Sequence, residues 1–100
     1  MIQRVVAIKL KDAYANDADR AQIAATAREV LGAVPQVLAL EVATPADART
    51  TKSWDLLLLL RFEDLDAVEA YRAHANHRRF VEVLLRPVLD VIKVWNFELR

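Results

Sequence analysis

One hundred residues, 55% of them hydrophobic and only one of them glycine, suit a single domain with one core and exclude disorder, collagen-like repeats and flexible linkers. Fourteen basic residues balance fourteen acidic ones, so no long-range field draws the chain to nucleic acid or an anionic membrane. With no cysteine there is no disulfide framework, thiol nucleophile or iron–sulfur cluster, and cytoplasm is the default location.

The first element is IQRVVAIKL, residues 2–10, rich in branched apolar side chains that alternate as a strand does. Lys9 and Lys11 interrupt it before it reaches the length of a signal-peptide hydrophobic region. NDADRAQIAATAREVLGAVP predicts a helix. Asn16 or Asp17 caps it, acidic residues fill its first turn, and Ile23, Ala27, Val30, Leu31 and Val34 recur at helical spacing. Gly32 and Pro35 mark its end. QVLALEVAT, residues 36–44, returns to period two as a second strand, with Leu38, Leu40 and Val42 opposed to Val37, Ala39 and Glu41. Residues 45–53 are polar and unpatterned, as a surface connection is.

SWDLLLLLRFED carries a third strand over residues 54–62. Its five consecutive leucines fall far short of the roughly 20 residues that cross a bilayer as a helix. Period two divides the segment into an apolar row, Trp54, Leu56, Leu58, Leu60 and Phe62, and a second row, Asp55, Leu57, Leu59 and Arg61, charged only at its ends. Glu63 and Asp64 are cap candidates for a helix carrying Leu65, Val68 and Tyr71. Ala75-Asn76 interrupts that helix, and RRFVEVLLR forms a second helical stretch closed by Pro87. VIKVWNFEL, residues 91–99, is the last strand.

The order β-α-β-β-α-β defines an α+β chain of ferredoxin-like type: a four-stranded antiparallel sheet, strands one and three central, with both helices on one face. The row beginning at Trp54 faces the helices. On the opposite face, phasing collects Val5, Ala7, Val37, Ala39, Leu57 and Leu59 into an apolar patch on the order of several hundred Å², which calls for a partner. A second copy of the chain, packed sheet against sheet, covers it. Trp95 and Phe97 are packing or dimer contacts rather than a ligand cage.

Tyr71 and His77 would lie about 240° apart on one continuous helix, so they converge only if the helix breaks between them. Asn76, which tolerates the left-handed conformation, is the candidate hinge. Brought together, a histidine base and a tyrosine donor suit proton removal from a small carbonyl compound. The competing reading is that His74 satisfies a helix end while Tyr71 packs in the core. Arg4 interrupts the row of Ile2, Val6, Ile8 and Leu10. It either binds a substrate carboxylate or carbonyl, or reaches solvent from the strand end. His74 and His77 lack the third ligand a metal site needs, and no cofactor is called for. Arg72, His77, Arg78 and Arg79 read as a solvated face without a glycine-rich phosphate loop. The outer sheet face lacks the aromatic pattern of RNA-binding sheets.

Four stretches, IQRVVAIKLK, SWDLLLLLRFED, AYRAHANHRRF and VIKVWNFE, resemble the stress-responsive dimeric α/β barrel (Dabb) family over nearly the whole chain. AYRAHANH is the most specific, being similar to a motif in which a tyrosine precedes His-Pro-x-His. The resemblance implies a ferredoxin-like subunit that pairs through its sheet into a dimeric α/β barrel, and it does not imply one activity. Tyr71 and His77 fall on the acid–base pair of the plant polyketide cyclase branch, and His74 on the motif's first histidine. Ala75 replaces the motif's proline, and Arg4 stands where that branch has a strand-one histidine. The resemblance thus implies a homodimer with Tyr71 and His77 as acid–base residues and His74 beside them; joined to the reading of Arg4 from its own row, it gives a site for a small apolar or carbonyl ligand in which Arg4 and His74 are binding residues. A noncatalytic stress-responsive dimer is the alternative.

Overall fold

Alternation of apolar residues becomes β1, Ile2–Leu10, in a computed structural model that describes residues 1–100. Asn16 caps the helix α1, Asp17–Gly32, by accepting the Asp19 N–H at 2.9 Å. The strand β2, Ala39–Ala43, is followed by a short helix α2, Ala48–Thr51, and by β3, Leu56–Phe62. Asp64 caps α3, Leu65–Ala73, by accepting the Ala67 N–H at 2.8 Å. The helix α4, Ala75–Arg79, continues into a wide π turn over Phe80–Leu85 and a 3₁₀ turn at Arg86–Val88, before β4, Leu89–Glu98. The sheet order is β2-β3-β1-β4 with every neighbouring pair antiparallel, so β1 and β3 occupy the centre.

Period two assigns the leucine run as its pattern requires. Leu56, Leu58 and Leu60 are at most 2% exposed and pack with Val6, Ile8, Leu10, Phe62 and the inward residues of the helices, Ala27, Leu31 and Val68 among them. Each such leucine contributes roughly 1.5–3 kcal/mol through burial. Phe80 and Leu85, which an α-helix would set about 140° apart, both reach this core. The wider i→i+5 turn brings them onto one side and leaves Val83 62% exposed.

Several boundaries differ from the pattern-based expectation, among them the start of β4 at Leu89 rather than residue 91. β2 begins at Ala39 rather than residue 36, because the chain leaving α1 is still turning there and the Val37 N–H bonds the Val34 carbonyl at 3.0 Å. Val37, expected on the outer face, therefore packs against the core instead. β3 begins at Leu56, since Asp55 leaves the outer row and is fully buried. Residues 45–53 are not irregular throughout, because Asp47 nucleates α2 by accepting the Thr50 N–H at 2.8 Å.

Asp55 receives the Leu10 N–H at 2.7 Å and the Arg20 guanidinium at 2.8 and 3.0 Å, with Lys9 Nζ at 3.4 Å. Burial opposes its charge, but these donors prevail and hold its carboxyl below the usual carboxylate range. The cluster locks one end of β1 to β3 and α1.

On the outer face Val5 lies between Leu59 of β3 and Trp95 of β4, and Ala7 between Leu57 and Lys93. Trp95 and Phe97 are 45% and 55% exposed, so the apolar stripe crosses three strands and runs to the β4 edge. Ala39, Glu41 and Arg61 continue this face at the β2 side.

Candidate active site

The break between α3 and α4 falls at His74, whose backbone is extended (φ −68°, ψ 142°), not at Ala75-Asn76. No residue adopts positive φ, so a left-handed asparagine is not the device. His74 itself caps α4: its Nδ1 accepts the Asn76 N–H at 3.0 Å, much as a Ser or Asp cap would. The Asn76 amide in turn donates to the Val30 carbonyl at 3.0 Å, tying the junction to the last turn of α1. His74, expected to bind substrate, is thereby occupied in capping and does not line the cavity described next. The break reorients α4 enough to bring Tyr71 and His77 together, ring centroids 4.6 Å apart and planes tilted by 59°. Phe62 backs Tyr71 from the sheet side at 4.9 Å.

Tyr71, His77 and Arg4 line one apolar cavity of about 40 Å³ between sheet and helices, with Leu58, Phe80 and Val94 among its walls. Its size suits roughly three water-sized groups. Ile92 and Val94, 36% and 39% exposed, place its mouth along the inner side of β4. Arg4 is 7% exposed, so it belongs to the inner row rather than reaching solvent. Pairing of β1 with β4 sets it opposite Asn96, whose Oδ1 accepts from the guanidinium at 3.0 Å. Arg4 Nε is buried without a partner.

The electrostatics suit proton transfer. Burial pushes the Tyr71 hydroxyl up to about 12, with the Arg4 charge opposing this, so the phenol stays protonated and can donate. Burial also pushes His77 below the ordinary histidine value. A hydrogen bond to the Arg72 carbonyl opposes that shift, and the Arg4 and Arg72 charges add to it. The Arg72 carbonyl lies 3.1 Å from His77 Nδ1. Because a carbonyl only accepts, Nδ1 carries the proton and Nε2 keeps a free lone pair. The imidazole is therefore neutral and basic at pH 7.

Larger clefts lie elsewhere. One of about 340 Å³ sits beside Met1, Glu63, Asp64, Asp66 and Glu98, where carboxylates gather without a histidine or tyrosine. No group of three or more His, Asp or Glu side chains is placed to hold a metal ion. No helix is long and apolar enough to cross a membrane. Asn96 was not singled out by the sequence, and only its cross-strand position opposite Arg4 reveals it.

The sequence model of the Dabb, or stress responsive A/B barrel, domain matches residues 2–99. The chain belongs to the Dabb family. No curated protein matches it. Among solved structures, a Dabb family protein with a ferredoxin-like fold from Mesorhizobium loti superposes with a TM-score of 0.83 at 19% identity, covering 99% of this chain and 96% of its own. A protein of Arabidopsis thaliana also reaches 0.83, at 16% identity, over 100% of this chain and 96% of its own. A dimeric ferredoxin-like protein of unknown function from Thermobifida fusca reaches 0.80 at 17% identity, over 98% and 90%. At these identities the likeness establishes the fold, and the ferredoxin-like Dabb subunit is the one described above.

Proposed function

We propose that this Dabb protein is a homodimer that binds a small carbonyl compound between its sheet and helices and transfers a proton on it without a cofactor. The observation that carries the reading is the convergence of Arg4, Tyr71 and His77 on one partly open apolar cavity, with the His77 Nε2 lone pair free. His77 Nε2 takes a proton from the carbon next to the carbonyl. The C–H electron pair becomes the C=C bond of the enolate while the carbonyl π pair moves onto oxygen, and the Tyr71 hydroxyl and Arg4 hydrogen-bond that oxygen. Return of the proton to another carbon is isomerisation, and attack of the enolate carbon on a second carbonyl is cyclisation.

Pairing through the outer sheet face rests on the apolar stripe of exposed Trp95 and half-buried Val5 and Leu59, and on the dimeric Thermobifida fusca neighbour. Val5, Ala39, Leu57 and Leu59 remain the proposed contacts, whereas Ala7, expected among them, is already buried within the subunit at 3% exposure. The noncatalytic alternative draws on cavity size, because about 40 Å³ is well below the roughly 300–1,000 Å³ of common ligand sites. Exchange of α-protons of small ketones into D₂O, followed by NMR, decides between them. Exchange by the wild type that His77→Ala abolishes supports catalysis, and no exchange above buffer with any small ketone removes it.

A further inference from the structure

Arg4 is a cation in an apolar layer without a counter-anion. None of the five ion pairs of the chain involves it. Its one side-chain partner is the neutral amide of Asn96, and its Nε is buried and unpartnered. A buried charge left this way is costly unless something of opposite sign completes it. The other groups around the cavity do not supply that sign. Tyr71 stays protonated and His77 neutral, the nearby Glu69 is exposed and pairs with Arg72 at 3.2 Å, and Glu82, whose charge reaches His77, is exposed to solvent. The cavity is therefore net positive, and the guanidinium that lines it keeps one buried, unpartnered N–H in the same wall as a basic imidazole.

We propose that the ligand of this cavity is a small organic carboxylate, its anionic group bound by the Arg4 guanidinium through the unpartnered Nε–H. Asn96 holds the far side of the guanidinium through the 3.0 Å hydrogen bond and so fixes which edge faces the ligand. A planar carboxylate matches that edge, and charge-assisted bonds of this kind are among the stronger ones in proteins. The volume restricts the class to compounds of a few heavy atoms, or to the head of a longer acid whose remainder leaves past Ile92 and Val94. In such an acid the carbonyl next to the carboxylate lies toward Tyr71 and His77, so the same anchor orients the reacting carbon. This rests on the cavity being the ligand site, as proposed above.

Isosteric pairs test it: acetate against acetamide and pyruvate against pyruvamide, titrated into the full chain. The readouts are the Arg4 Nε–Hε and His77 ring NMR signals. At least one acid is expected to saturate both signals and to bind about tenfold or more tighter than its amide. Arg4→Met should erase that preference, weakening the acid at least about tenfold more than its amide, and Arg4→Gln, which keeps a hydrogen-bonding head, should do the same if the methionine variant fails to fold. Acid and amide binding equally to the wild type would overturn the carboxylate assignment and leave the carbonyl site standing. Failure of all four compounds to move the His77 signals would overturn both.

Discussion

Replacing Asp55 by alanine tests whether the Asp55–Arg20–Lys9 cluster holds β1 against β3 and α1. The carboxylate is fully buried and accepts from Leu10 N–H at 2.7 Å and from Arg20 at 2.8 and 3.0 Å. Its removal strands the Arg20 cation, whose other partner, Asp17 at 3.2 Å, is fully exposed and so screened. It also orphans a backbone donor. Breaking a buried pair by removing one member costs about 3–5 kcal/mol, a large share of the roughly 5–15 kcal/mol of a typical domain. For a chain of this size that lowers Tm by about 12 °C or more. Urea unfolding of the wild type and of Asp55→Ala, at matched protein concentration, measures the difference directly. Asp55→Asn, which keeps an acceptor for Leu10, should fall between them. The pH dependence has a definite sign. The folded carboxyl titrates below its unfolded value of about 3.9, so its contribution is complete above that value and disappears as pH falls through the folded one. The gap between wild type and Asp55→Asn should accordingly narrow in acid. A loss under about 1 kcal/mol for Asp55→Ala, or a gap that widens as pH drops, would refute a buried anionic Asp55.

Tyr71→Phe keeps the ring against Phe62 and should fold normally, yet lower α-proton exchange about 10²-fold through loss of the donor. The exchange rate of the wild type should be flat at and above neutral pH and fall in acid as His77 protonates, with its midpoint below that of a free histidine, because burial depresses its pKa. Leu58→Ala and Leu59→Glu separate the two leucine rows. The first should cost about 2–5 kcal/mol in urea unfolding, and the second should convert a dimer to a folded monomer in sedimentation at micromolar concentration.

The order of elements and the division of the leucine run were legible in the sequence because both depend on local rules. Period two separates Leu56, Leu58 and Leu60 from Leu57 and Leu59 whatever the partners are, and Asn16 and Asp64 announce their helices through bonds only three residues long. The pairing of Tyr71 with His77 was legible only as a condition, that the helix break between them. Where it breaks is decided at His74, by a side-chain cap that no propensity assigns to histidine, and by Asn76 reaching the Val30 carbonyl 46 residues away. Arg4 and Asp55 show the same limit. Arg4 could be read as solvent-bound or inward until cross-strand register set it beside Asn96, 92 residues on. Asp55 reads as the charged end of an exposed row until Arg20, from a different element, makes its burial tolerable. Within a strand, sequence patterns specify which face a residue occupies, but not where the strand begins, which is why Val37 and Asp55 left the face expected of them. Which charges that face can bury depends on partners that only the folded chain brings within hydrogen-bond distance.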